Sequence, residues 1–290
     1  MQRGIDHLVL AGHSLQKARD GYERLGFTCT PVGQHAWGTA NILVQLQGSF
    51  LEILTVDRPE LLTDPAKGEF SFGRFNQNYL AGREGFSMLV LESRDAAADQ
   101  TDFRKKRLKT YAPFGFSRQA VLPGGEAVTV SFSLTFVTDV AAPQVGYFTC
   151  QQHAPEYFWK PEYQSHANGA LAISETVMIS REPQSHRGFL ESFSGSLETV
   201  AGDERVSVAT PRGSLSVLSP EAAEETWGSA IDTDNCDTPR LVAFVVTVAD
   251  LSKTEALLKE HDIRYDRLGG RLIVGADQVF GVAIAFEAKR

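Results

Sequence analysis

The chain has 290 residues, 42% hydrophobic, 10% aromatic and 22% charged, and its 28 Lys+Arg against 36 Asp+Glu give a net charge of −8. That length supports a core burying roughly three-quarters of the surface the unfolded chain exposes, and the composition excludes a disordered or fibrous protein. The acidic balance, with Arg104-Lys105-Lys106-Arg107 as a solvated helix face, argues against nucleic-acid binding, and no apolar run reaches the roughly 20 residues that span a bilayer.

The first element is a strand through Ile5–Ala11, with Ile5, His7 and Val9 on one face and Leu8 and Leu10 on the other. Ser14 caps a helix through Leu25 whose stripe is Leu15, Ala18, Tyr22 and Leu25, and Gly26 ends it. Strands follow from Phe27, notably Ile42–Leu46 and Phe50–Leu54, which makes a βαβββ unit. A second unit starts at Phe86–Leu91, with a helix over 95–108 and strands over 128–136 and 145–150. The proline- and aromatic-rich segment 151–163 reads as an ordered junction. A third unit runs from Ile173–Ile179 through a helix over 186–193 to Leu215–Leu218. The acid-rich stretch Asp232–Asp237 lacks the Gly and distal Glu of a calcium loop and reads as a polar loop. The fourth unit has Leu241–Val248, an Asp250-capped helix, and strands at Leu272–Val274 and Val282–Phe286. Leu15 to Leu251 and Phe27 to Ile263 are equal spacings, as a repeat demands.

One βαβββ sheet leaves an apolar face uncovered, so such units pair into cupped half-barrels able to enclose a ligand. The expected fold is α+β, four βαβββ units in two cups with helices outside, divided as residues 1–165 and 166–290. Which units pair is left open.

His7 and Glu52 are the chemically informative pair: both sit mid-strand among apolar neighbours. A carboxylate facing a dry cavity costs several kcal/mol unless it is paired or binds a metal. Imidazole and carboxylate together suit zinc, iron, manganese or nickel, while a plain His–Glu hydrogen bond or a Glu reaching solvent are the alternatives. Trp37, Phe148 and Trp159 are expected in the core or cup lining, where they could stack on a planar ligand. His13, His35, His186 and His261 are expected to be solvated. Cys29, Cys150 and Cys236 form no CxxC pair and no disulfide framework, and the N-terminal residues carry no export signal, so the expected location is cytoplasmic. Dinucleotide, P-loop, zincin and nucleophile-elbow motifs are missing.

The strands Ile5-Asp6-His7-Leu8-Val9-Leu10 and Phe50-Leu51-Glu52-Ile53, with Gly38-Thr39-Ala40-Asn41, the Cys150–Trp159 segment and His166-Ala167-Asn168-Gly169-Ala170, resemble the vicinal oxygen chelate superfamily of lactoylglutathione lyases, extradiol dioxygenases and bleomycin-resistance proteins. More narrowly the chain resembles bacterial glyoxalase-like domain proteins, over residues 1–170 and beyond that through the repeat. The resemblance implies metal ligands on the first and fourth strands of paired units, where His7 and Glu52 stand. In the other units those places fall on Ser87 or Met88 and Cys150, on Glu175 and Ser216, and on Ala243 and Ala285, with Glu287 one step further. The family pattern has a His two positions after the cysteine; this chain has Gln152, with His153 beside it, so Gln152 is the implied third ligand through its carbonyl. The resemblance also places Asn41, His153, His166 and Asn168, with Trp37, Phe148 and Trp159, around a small-molecule ligand.

The implied activity is that of a divalent-metal-dependent lyase or isomerase on a molecule with adjacent oxygens, with Glu52 as the catalytic carboxylate. An extradiol dioxygenase and a metal-free binder of bleomycin-resistance type are the alternatives, and homodimerisation is allowed by resemblance.

Overall fold

The computed structural model describes residues 1–121, 127–234 and 236–289; Asn235 of the acid-rich loop lies outside them. In the first repeat, strand β1 (Ile5–Ala11) leads to helix α1 (Leu15–Arg24), whose first turn is capped by the Lys17 N–H donating to the Ser14 hydroxyl at 3.3 Å. Gly26 follows at φ +83°, and a Cβ there would stand 2.9 Å from the Asn168 backbone nitrogen, so this close approach requires glycine. Strands β2 (Gly33–Gln34), β3 (Thr39–Gln45) and β4 (Phe50–Val56) complete the repeat.

Helix α2 (Phe72–Leu80) is inserted before the second repeat, which comprises β5 (Gly85–Glu92), α3 (Ala96–Lys105), β6 (Lys109–Thr110), β7 (Phe114–Val121), β8 (Ala127–Thr138) and β9 (Gly146–Gln152). The junction forms a short helix α4 (Pro155–Phe158). The third repeat has β10 (Ala170–Ile179), α5 (Arg187–Ser194), β11 (Thr199–Gly202), β12 (Arg205–Ala209) and β13 (Ser214–Leu218), and a second inserted helix, α6 (Pro220–Trp227), follows it. The fourth has β14 (Arg240–Val248), α7 (Leu251–Glu260), β15 (Asp266–Leu268), β16 (Arg271–Val274) and β17 (Ala283–Ala288).

Among the described residues, nine strands form one sheet, in the order β2-β3-β4-β1-β5-β9-β8-β6 with β7 on β8, and eight form the other, β11-β12-β13-β10-β14-β17-β16-β15. At the centre of each, the leading strands of two successive repeats pair antiparallel, Leu8 with Leu89 and Thr176 with Phe244. Repeats one and two therefore share a sheet, as do three and four, in an α+β fold. One apolar cluster takes in Leu8, Leu10 and Phe86 of the first sheet, Phe244, Val246 and Phe286 of the second, and buried residues of α1, α3, α5 and α7. Ring contacts cross the seam, Phe86 to Phe244 at 5.2 Å and Phe27 to Phe286 at 6.1 Å. No helix among the described residues is long and apolar enough to cross a membrane.

The concave faces differ, which corrects the expectation of two ligand-holding cups. In the second, the small residues Ala243, Ala283 and Ala285 leave room that Trp227, Ala222 and Ala223 of α6 fill, and the indole is 1% exposed. Glu175 and Ser216, at the places of His7 and Glu52, hydrogen-bond each other at 2.6 Å, and Arg271 pairs with both Glu175 and Glu287. In the first cup, Phe50, Phe132 and Phe148 from the strands meet Phe72 of α2 and Phe158 of α4 without closing the centre.

Candidate functional site

The site begins with an irregularity in β1. Ile5 faces Leu91 and His7 faces Val90 on β5, so Asp6 is an extra residue, a β-bulge. The strict alternation expected of this strand is broken there: Ile5 joins the inter-sheet cluster with Leu8, while His7 turns into the cup. Asp6 comes to lie beside His7, and His7 Nδ1–H donates to Asp6 Oδ2 at 2.7 Å. A carboxylate can only accept, so Nδ1 is assigned the proton and Nε2 presents a lone pair when the ring is neutral. Phe50 stacks on the imidazole at 4.3 Å and 15°, and Phe148 meets it edge-on at 5.5 Å, which fixes its plane.

Strand β4 runs parallel to β1 with Phe50 opposite His7 and Glu52 opposite Val9, so Glu52 lies on the same face one pleat along. Its Oε1 accepts from Asn41 Nδ2 at 2.7 Å, and its Oε2 stands 3.7 Å from His7 Nε2. That is too long for a hydrogen bond, and Glu52 is only 7% exposed, so neither the simple His–Glu bond nor a solvent-seeking carboxylate describes the pair. Two ligands about 2.1 Å from a shared ion at tetrahedral angles lie about 3.4 Å apart, close to the spacing seen.

His7, Glu52 and Asn41 line a cavity of about 60 Å³, room for roughly two waters. Its wall includes Trp37, Phe72, Phe116, Phe148 and the Cys150 thiol. Burial first, then the negative charges of Asp6 and Glu52, push that thiol well above its usual range, so it is neutral. His35, expected in solvent, is another wall residue: it is 8% exposed, stacks on Trp37 at 4.5 Å and 10°, and engages Thr39 Oγ1 through Nδ1 at 2.8 Å. His186 is likewise sealed, between Asp139 Oδ2 at 2.7 Å and Ser180 Oγ at 3.0 Å. That Ser–His–Asp chain opens onto no surface, since Ser180 is 3% exposed and His186 is 0% exposed.

The structure thus gathers His7, Glu52, Asn41, Trp37 and Phe148 around one cavity. Trp159 packs behind it on Phe50 and Phe158. Gln152 lies off the lining; its Nε2–H donates to Asp6 Oδ1 at 3.3 Å, and its Oε1 is buried with no hydrogen-bond partner. His153 is exposed and bonds Ser133 Oγ at 2.8 Å. His166 accepts from the Thr28 N–H at 3.0 Å and donates to Gln45 O at 2.7 Å, and Asn168 donates to Leu25 O at 2.8 Å and accepts from the Ala170 N–H at 3.0 Å. Both spend their polar atoms on backbone at the seam between the halves. Asp6, His35 and Phe72 are wall or support residues that the sequence reading did not place in the site, and Cys150, set by the resemblance at the Glu52 place of the second repeat, joins the wall.

Among the described residues no group of three or more His, Cys, Asp or Glu side chains is arranged to hold a metal. The donor set nonetheless suits a divalent ion in its chemistry: His7 Nε2 and Glu52 Oε2 face each other, and Asp6 backs the imidazole as outer-shell carboxylates back metal-bound histidines. The same Asp6 holds the amide of Gln152, whose carbonyl oxygen is left unpartnered.

Paired βαβββ repeats closing on a cup, with a histidine on the first strand and a carboxylate on the fourth, define a protein of the vicinal oxygen chelate class. The glyoxalase-like domain profile matches residues 5–193, and the chain belongs to that family. No curated protein matches it significantly. Similar solved structures include a hypothetical protein from Staphylococcus aureus, 12% identical with a TM-score of 0.69, covering 99% of this chain and 100% of that one. A mutant of 4-hydroxymandelate synthase from Streptomyces coelicolor is 10% identical with a TM-score of 0.63, covering 100% and 94%. Homoprotocatechuate 2,3-dioxygenase from Arthrobacter globiformis is 10% identical with a TM-score of 0.56, covering 99% and 80%. At such identities the likeness establishes the fold alone.

Proposed function

We propose that the first cup is the active site of a divalent-metal-dependent lyase or isomerase acting on a small molecule with adjacent oxygens, and that residues 1–165 carry it while 166–290 serve as its structural counterpart. The observation that carries this reading is the buried, non-hydrogen-bonded pair of His7 Nε2 and Glu52 Oε2 opening onto a ring-lined cavity. His7 and Glu52 would hold zinc, iron, manganese or nickel, Gln152 would join as third ligand by turning its Oε1 in from beside Asp6, and the ion would polarise a bound oxygen as a Lewis acid. Asp6 keeps the His7 lone pair aimed into the cup. Asn41 anchors Glu52 through Oε1 and leaves Oε2 facing the cup, where it would be a ligand with the ion bound and would carry a proton from the carbon beside the substrate oxygen only when free of it. The rings of Phe50, Phe72 and Phe148 keep water from competing for that proton. A small-molecule partner, not nucleic acid, fits the cup and the acidic charge.

A metal-free binding protein is the second reading, favoured by the aromatic wall and by a floor with only two strong donors facing each other. An extradiol dioxygenase asks for two imidazoles and a carboxylate on one iron; His35 is the second imidazole in the wall, and Thr39 engages its Nδ1. Metal analysis of protein purified without chelators separates these. A stoichiometric transition metal that disappears in His7→Ala supports the enzyme, whereas no metal under any loading condition sinks it and leaves the binder.

A further inference from the structure

We infer that the first cup selects an uncharged ligand, an aromatic body carrying a hydroxyl group, and turns away carboxylates of the same size. This rests on reading the cup as the ligand site and adds the ligand's charge. Among the described residues that line the cavity there is no Lys or Arg, while Glu52 lies in its floor and Asp6 directly behind His7. With the imidazole neutral the floor carries two negative charges; with it protonated, one; with a divalent cation between His7 and Glu52, none. In each state an anion would leave water for a wall of rings that holds no surplus positive charge. A cation would be drawn in without the metal and repelled beside it. An uncharged molecule is the class every state admits.

The hydrogen-bonding faces agree. His7 Nε2 and Glu52 Oε2 both accept when the ring is neutral, so a ligand hydroxyl between them gives its one hydrogen to one of the two, whereas a carboxylate has none to give. The cavity of about 60 Å³ takes only that end of a ligand. A separate groove of about 260 Å³ on Trp37 and Phe72 is lined by Phe70, Pro113 and Phe114 together with the carboxylates Asp64 and Glu69, so it too offers an anion no positive charge.

Benzyl alcohol, benzoate and benzylamine, alike in size and different in charge, test this by titration of tryptophan fluorescence and ligand-observed NMR on chelator-treated and on zinc-loaded protein. Benzyl alcohol is expected to bind both preparations and benzoate at least about tenfold more weakly, with Glu52→Gln narrowing the gap. Trp37→Phe is expected to cut the fluorescence response to at most what Trp159 behind the cavity gives; a response that the substitution leaves unchanged puts the ligand elsewhere and overturns the inference. So does benzoate binding as well as the alcohol, or benzylamine binding tightest in both preparations. If none of the three binds while zinc does, the charge selection fails and the metal-site reading stands; if zinc fails too, both fall.

Discussion

Asp6 receives two hydrogen bonds on one carboxylate, from His7 Nδ1 at 2.7 Å and from Gln152 Nε2 at 3.3 Å, and so decides which atoms of both side chains face outward for a ligand. Asp6→Asn keeps the size but offers an amide that can present N–H to Nδ1, letting the other imidazole tautomer compete. Long-range ¹⁵N NMR should show His7 as the Nδ1–H tautomer in the native protein and a mixture in the variant. Metal affinity should fall by about 10–100-fold, the usual effect of losing an outer-shell partner. An unchanged tautomer with merely lower stability would reduce Asp6 to a packing residue. His7 and Glu52 were legible in the sequence because a polar group in an alternating apolar strand stands out. Asp6 was not, because a bulge adds one residue to one strand and leaves no mark on a pattern of period two.

At the level of elements, the repeat was readable because each copy opens with an apolar strand followed by a helix, and in three of the four Ser14, Asp95 and Asp250 cap that helix, whereas α5 starts after His186 without a side-chain cap. The inserted helices α2 and α6 were missed, although Ser219-Pro220 is an ordinary helix start with its hydroxyl accepting from the Ala222 N–H. These helices decide what the cups do. Phe72 of α2 edges the first cavity, whereas Trp227 of α6 fills the second. Trp227→Ala should lower stability by about 3–5 kcal/mol, measured by urea unfolding, and open a dry void that takes up benzene or xenon. Metal content and ligand response of the first cup should stay as they were. A loss of either would mean that the second cup takes part in the site.

Across the whole molecule, the two sheets are locked by polar joints as well as by the apolar layer. Arg3 reaches Asp99 at 2.8 Å and the Phe193 carbonyl at 3.0 Å, and His186 of the second half holds Asp139 of the first. His166 is the joint whose titration can be read. Burial holds its imidazole below the ordinary histidine value, and the bond from its Nε2–H to Gln45 O acts more weakly in the other direction. Sequence similarity pointed to this residue without revealing its use, because backbone partners at Thr28 and Gln45 leave no signature in a pattern of side chains. On acidification the unfolded chain binds the proton first, so His166 makes stability fall as pH drops below about 6.5, and the loss continues until the folded-state value is passed. Urea midpoints between about pH 7.5 and about pH 5 should decline more steeply for the native protein than for His166→Gln, whose amide can still accept from Thr28 or donate to Gln45 without titrating. Parallel slopes would show that acid sensitivity arises elsewhere, and that this seam is held without regard to the charge of its histidine.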